Sequence, residues 1–321
     1  MMKEPIFLKP ALASTIWGGT RLMTSFGYQT EEDNIAEAWV LSCHPDGESV
    51  VTGGVYDGRT LTDVLAENPA YVGMKHTGDT FPILIKLIDA DRDLSIQVHP
   101  DDAYAAAHEP DVRGKTEAWY IIDAAKDAKL IYGFRDHYTK EQFRAAIENK
   151  TLTQIVNSVT VKPGDVAFIP SGTLHAICEG IFLAEVQQSC NTTYRVYDYD
   201  RPGKDGKPRP LHIDKAVDVT RCDPPDGDLS PAGPSERIPG GTKQLLTTCD
   251  YFTSHLYKLD GPAEFCAGDE SFVSLVVLEG CGTINLGQKA YSLNKADSVF
   301  IPAGCGVFTI SGRLTLFATT L

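Results

Sequence analysis

Short apolar runs separated by turn residues dominate the chain, and few stretches keep a helical period. "FPILIKLIDA", "LSIQVH", "EAWYIID", "KLIYGF", "DVAFIP" and "IFLAEVQQ" are rich in Ile, Val, Leu and aromatic side chains. Such residues suit a pleated surface that is at least half buried. The last third repeats the style in "FVSLVVLEG", "GTINLG", "SVFIPAG", "VFTISG" and "LTLFATT". Short strands at close spacing predict a mainly β sandwich or barrel rather than βαβ units. Helices are few. "TKEQFRAAIENK" opens on Thr139 with Gln142 three residues on, the pattern of a capping box, and "TLTQIVNSV" repeats it with Thr151 and Gln154. "TLTDVLAENP" predicts a third helix that stops near Pro69.

The pattern breaks at "CDPPDGDLSPAGPSERIPGG", residues 222–241, which is dense in Pro and Gly. It divides the chain into an expected catalytic domain at 1–221, a connection, and a β domain at 242–321. A repeat supports two related domains. Shifted by 132 residues, "GDVAFIPSGTLHAI" falls on "ADSVFIPAGCGVFT": Asp165 meets Asp297, Phe168 meets Phe300, Pro170 meets Pro302 and Gly172 meets Gly304. His175 meets Val307, which is expected to fill the interior of the second domain.

Composition narrows the function. At 321 residues, 42% hydrophobic and 22% charged, the chain is long enough for two globular domains. A formal net charge of −14 argues against nucleic acid as the main partner. A few clustered cations could still draw a small anion. No apolar run is long enough to span a membrane. Lys3, Glu4 and Pro5 interrupt the start as an export signal would not, and the eight cysteines form no C-x-x-C pair. A cytoplasmic protein with reduced thiols is the expectation.

The candidate chemistry gathers on a few strands. Gly164, Pro170, Gly172 and His175 follow the spacing G-x5-P-x-G-x2-H, the second sequence motif of cupin barrels. Gln97 and His99 lie two apart in "SIQVHPDD", on one face of a strand, and Lys115 and Glu117 do the same in "GKTEAWYII". Two imidazoles, a carboxylate and an amide oxygen suit Zn²⁺ or another first-row divalent ion. Taken alone, each is more often a surface or core polar residue than a ligand. Further on, "AEVQQSCNTTYRVYDYDR" holds Glu185, Arg195 and Arg201. Arg195 could fork onto a phosphate or an anionic intermediate, or simply pair with Asp198 or Asp200 at the surface.

In order, "IWGGTRL", "AEAWVLSCHPDGES", "LIKLIDADRDLSIQVHPDD", "GKTEAWYI", "IPSGTLHAI" and "EVQQSCNTTYRVYDYDR" resemble the type I phosphomannose isomerase family in its shorter, two-cupin bacterial form. The resemblance implies two jelly-roll cupin domains, the second without metal. It implies interconversion of mannose 6-phosphate and fructose 6-phosphate through a cis-enediol, with one zinc ion per chain. Gln97, His99, Glu117 and His175 fall on the family's zinc ligands. Arg195, Lys115 and Glu185 fall on its catalytic residues, and Lys86, Ser95 and Arg201 on positions expected to contact substrate. Only 57 residues lie between Glu117 and His175, too few for the helical domain of longer members. Ile177 stands where those members carry a tyrosine. A monomer or homodimer is expected. The rival readings are a non-catalytic sugar-phosphate binder and a metal cupin acting on another substrate.

Overall fold

The computed structural model describes residues 3–109, 112–203 and 205–321. The chain is mainly β, and its strands form sheets of a sandwich, with no closed barrel among the described residues. It divides into two compact units, one of residues 3–12, 38–86 and 231–321, the other of residues 13–37 and 87–230. The division is discontinuous, unlike the boundary read from sequence. Strand Ile6–Lys9 pairs antiparallel with both Ser298–Ile301 and Val50–Thr52, which draws the N-terminal residues into the C-terminal sheet. One break between the units lies between Ser230 and Pro231, and strand Ser235–Ile238 follows it.

In the unit of residues 13–37 and 87–230, one sheet orders Val156–Thr160, Lys129–Phe134, His175–Ile177, Ile96–Val98 and Tyr194–Tyr197. In a second, Glu117–Ala124 is flanked by Val166–Ile169 and Ile181–Gln188. Alternation sorts the side chains. Leu130, Tyr132 and Ile177 from the first sheet meet Trp119, Ile121, Ile169, Ile181 and Leu183 from the second in one core. The intervening Ile96, Val98, Ile131, Ala176, Tyr194 and Val196 face outward. There they pack under helices Lys140–Glu148 and Ile213–Val219.

Helix Lys140–Glu148 has the expected capping box, with Thr139 accepting from Gln142 N–H and Gln142 accepting from Thr139 N–H. The second box does not form. Thr151 makes no side-chain cap, and the helix ends at Ile155 because Val156–Thr160 pairs as a strand. Thr60 caps helix Leu61–Glu67 through Asp63 N–H. The sequence reading missed helix Asp102–His108, capped by Asp101, and helix Ile213–Val219. Among the described residues no helix is long and apolar enough to cross a membrane.

The repeat extends to individual hydrogen bonds. Asp165 accepts from Lys162 N–H at 2.9 Å, and Asp297 accepts from Asn294 N–H at 2.7 Å. The backbone exchange of Ile121 with Gly164 and Asp165 is matched by that of Val277 with Ala296 and Asp297. Gly172 and Gly304 share a left-handed backbone at φ 81° and 72°, as do Gly164 at 96° and Ala296 at 77°. The two turns differ after that point. Val307 does not fill an interior: it is 57% exposed, and its neighbour Phe308 enters the core instead.

Gly164→Ala should cost about 1 kcal/mol through its left-handed φ alone, since its Cβ would enter open space. Gly172→Ala should cost more, because its Cβ would also stand 2.9 Å from the Val219 carbonyl. Denaturant unfolding of the two variants checks the order; equal costs would contradict the tighter packing of the second turn.

Candidate metal centre

Inward alternation brings the candidate polar residues together. Gln97 is the cross-strand partner of both His175 and Arg195, so all three project into the sandwich. On the opposing sheet Glu117 pairs with Gln187, and Trp119 with Glu185. Hydrogen bonds lock the loops around them. Gly172 N–H donates to the His99 carbonyl at 2.9 Å, Lys115 N–H to the Pro100 carbonyl at 2.9 Å, and Ser171 N–H to Thr116 Oγ1 at 3.3 Å.

His99, Glu117 and His175 are buried, with potential ligand atoms all within 4.8 Å of one another. His175 Nδ1 donates to the Thr173 carbonyl at 2.8 Å, and His99 Nδ1 to the Thr192 carbonyl at 2.9 Å. A carbonyl only accepts, so each Nδ1 carries the proton and each Nε2 faces the cluster. His99 Nε2 lies 3.6 Å from Glu117 Oε2, and His175 Nε2 lies 3.3 Å from Glu117 Oε1. Burial lowers the His175 pKa to about 4, so its imidazole is neutral at pH 7. A neutral Nε2 lone pair therefore points at a carboxylate oxygen. Glu117 Oε1 is itself buried without a hydrogen bond. Two acceptors in this arrangement are costly unless a cation lies between them, and the donor set fits a divalent metal.

Gln97 borders the cluster. Its Nε2 is 3.5 Å from His175 Nε2, and its Oε1 accepts from Ser95 Oγ at 3.3 Å. A half-turn of the amide would present oxygen to the cluster without moving the backbone.

Charge surrounds this group. Buried Lys115 holds Nζ 2.8 Å from Glu117 Oε2. Burial pulls its ammonium pKa down, but the carboxylates of Glu117 and Glu185 more than offset that, so the pKa stands above the ordinary lysine value. This is opposite to the lowering that a lysine base would need. Buried Glu185 accepts from Trp119 Nε1 at 2.8 Å, and the Trp119 ring packs edge-on to His175 at 5.4 Å. Arg195 is half-buried. Its Nε donates to Ser95 Oγ at 3.1 Å and its Nη1 to the Pro210 carbonyl at 3.1 Å. Burial first, then the nearby Arg209 and Arg201 cations, lower its pKa.

The surface pairing considered for Arg195 belongs to Arg201. Asp198 takes Arg201 Nε at 3.0 Å and a two-pronged contact from Arg209 at 2.7 Å on each oxygen. Lys86 lies in the other unit with its ammonium 4.7 Å from the Trp39 ring centre. Ile177 packs in the core. The sequence reading missed Trp119, although its place two residues after Glu117 puts it on the same strand face. It also missed Gln187, whose Nε2 donates to the carbonyls of Gln188 and Cys190, in the loop leading to Thr192.

Comparison with known proteins identifies the surroundings. The phosphomannose isomerase type I catalytic-domain family model matches residues 6–144, and the mannose-6-phosphate isomerase cupin-domain model matches residues 242–321. The chain is 41% identical to mannose-6-phosphate isomerase ManA of Bacillus subtilis, covering 97% of each chain. It is 38% identical to a mannose-6-phosphate isomerase of Streptococcus mutans, covering 99% of this chain and 98% of the other. The crystal structure of a Bacillus subtilis mannose 6-phosphate isomerase superposes with a TM-score of 0.92 at 40% identity, covering 99% of each chain.

Asp198→Asn should destabilise the protein by about 2 kcal/mol at pH 7 by leaving Arg201 and Arg209 poorly paired. Burial raises the Asp198 pKa, but the two guanidiniums outweigh it and hold the value below the usual aspartate range. A depressed folded-state pKa stabilises above the unfolded pKa and loses that stabilisation as pH falls through the folded value. The difference between variant and wild type should therefore shrink below about pH 4. Thermal unfolding at pH 7 and pH 3 measures this; an unchanged difference would contradict the ionic origin.

Proposed function

Because the chain belongs to the type I phosphomannose isomerase family, we infer that it interconverts mannose 6-phosphate and fructose 6-phosphate, with one zinc ion held by Gln97, His99, Glu117 and His175. The observation that carries this reading is the approach of the His175 Nε2 lone pair to Glu117 Oε1, an acceptor facing an acceptor in a buried site. Bound zinc would polarise the substrate's carbonyl and hydroxyl oxygens.

The isomerisation takes a proton from C2 of the aldose and returns it to C1, while the hydroxyl proton on O2 passes to O1 by way of a cis-enediol. The side chains divide this work by protonation state. Lys115, held as an ammonium by its carboxylate neighbours, supplies a proton or hydrogen bond to a sugar oxygen. Glu185, a carboxylate oriented by the Trp119 indole, is the acceptor for the carbon-bound proton. Arg195 offers a guanidinium to developing negative charge on the enediol oxygens. Ser95 links Arg195 to Gln97 through successive hydrogen bonds, tying that cation to a proposed ligand. Arg201, beside the same strand, is the reserve of positive charge for the phosphate.

A coupled assay with mannose 6-phosphate, with metal analysis of the same sample, tests the reading. Chelation should abolish turnover and Zn²⁺ should restore it; full turnover by stably metal-free protein would sink the metal role. His175→Ala should lose metal and activity together. Arg195→Ala should lower kcat by roughly 100-fold or more with zinc content near normal. Loss of zinc in that variant would make Arg195 structural.

A further inference from the structure

Strand Tyr194–Tyr197 is the outermost of its five-stranded sheet, with Ile96–Val98 on one side and, among the described residues, no strand on the other. An edge strand leaves backbone donors and acceptors that need partners. At Arg195 both groups are satisfied by a single residue. His212 N–H donates to the Arg195 carbonyl at 2.8 Å, and Arg195 N–H donates to His212 Nδ1 at 3.2 Å. The imidazole nitrogen stands in for the carbonyl that a neighbouring strand would have supplied.

The same segment reaches the functional end of the side chain, since the Pro210 carbonyl accepts from Arg195 Nη1 at 3.1 Å. The segment is fixed on both sides. Arg209 forks onto Asp198, and Lys215 and Tyr194 converge on Glu109, fastening helix Ile213–Val219 to the strand. His212 also occupies that helix's N-cap without capping it. Ser, Thr, Asp or Asn is preferred there. Burial, then the Arg195 and Lys215 cations, lower the His212 pKa against the opposing pull of Glu109, which keeps Nδ1 available as an acceptor at neutral pH.

We propose that His212 is a positioning residue for Arg195: its backbone N–H and imidazole Nδ1 replace a missing strand and aim the guanidinium into the site. The proposal rests on the reading that Arg195 acts on the substrate. His212 itself touches no reacting atom.

Two variants separate the acceptor from bulk. His212→Asn keeps an acceptor at similar reach, and His212→Leu keeps volume without one. In the zinc-loaded full chain, His212→Leu should lower kcat roughly 10- to 100-fold, with KM and zinc content near wild type. His212→Asn should recover most of that loss. Hydrogen exchange at the Arg195 amide gives a readout independent of turnover. It should be slow in wild type and His212→Asn, and at least about tenfold faster in His212→Leu. In an Arg195→Ala background, His212→Leu should lower kcat no further. Wild-type kcat and unchanged amide protection in His212→Leu would overturn the proposal, as would failure of the Asn variant to restore protection. Full turnover by Arg195→Ala would instead remove the assigned role of Arg195, while the exchange measurement would still decide whether His212 holds the strand edge.

Discussion

Successive side chains of a strand point to opposite faces, and every polar group of the site depends on that two-residue alternation. Ile96 and Val98 pack outward against helices, so Gln97 must face in. The same argument turns His175 inward beside Ala176, and Arg195 inward between Tyr194 and Val196. A slip of one residue in any of these strands would bury Val or Tyr in the site and expose a proposed ligand. The apolar residues on the outer face therefore fix the chemistry of the inner one. Farther along, the same inner face becomes the Leu130, Ile121, Ile181 and Leu183 core, which anchors both sheets.

Burial sets the electrostatics. Glu117 and Glu185 share the interior with the ammonium of Lys115. His175, neutral at pH 7, adds no positive charge to this group. A divalent ion held by these side chains would shift the local balance in favour of an anionic sugar phosphate. This local balance matters more to the substrate than the formal charge of −14 on the whole chain. The backbone carbonyls of Thr173 and Thr192 complete the arrangement by orienting the imidazoles.

The repeated turn shows what was legible in the sequence. "GDVAFIPSGTLHAI" and its copy share hydrogen bonds and left-handed positions because Asp, Pro and Gly act locally. The ligand candidates were legible for a similar reason: i,i+2 spacing directly encodes a shared face. Val307 was misread because the second domain's strand turns its neighbour Phe308 inward instead. The pairing of strand Ile6–Lys9 with Ser298–Ile301 could not be read from sequence, because the two lie nearly 300 residues apart, a distance that carries no local signal. His212 was invisible for the same reason, being 17 residues from Arg195 and joined to it only by tertiary folding. Thr151 matched a capping pattern, yet it makes no side-chain cap and pairing of Val156–Thr160 cuts the helix short at Ile155.

The account turns on whether four side chains from two sheets converge on one metal. Anomalous diffraction at the zinc edge, from crystals of the full chain grown with zinc, tests this most directly. The account predicts one strong peak among Gln97, His99, Glu117 and His175, with both histidines bound through Nε2 and zinc–nitrogen distances near ~2.0–2.1 Å. A peak bound elsewhere in the chain, or density showing Glu117 Oε1 and His175 Nε2 bridged by water alone at saturating zinc, would contradict it.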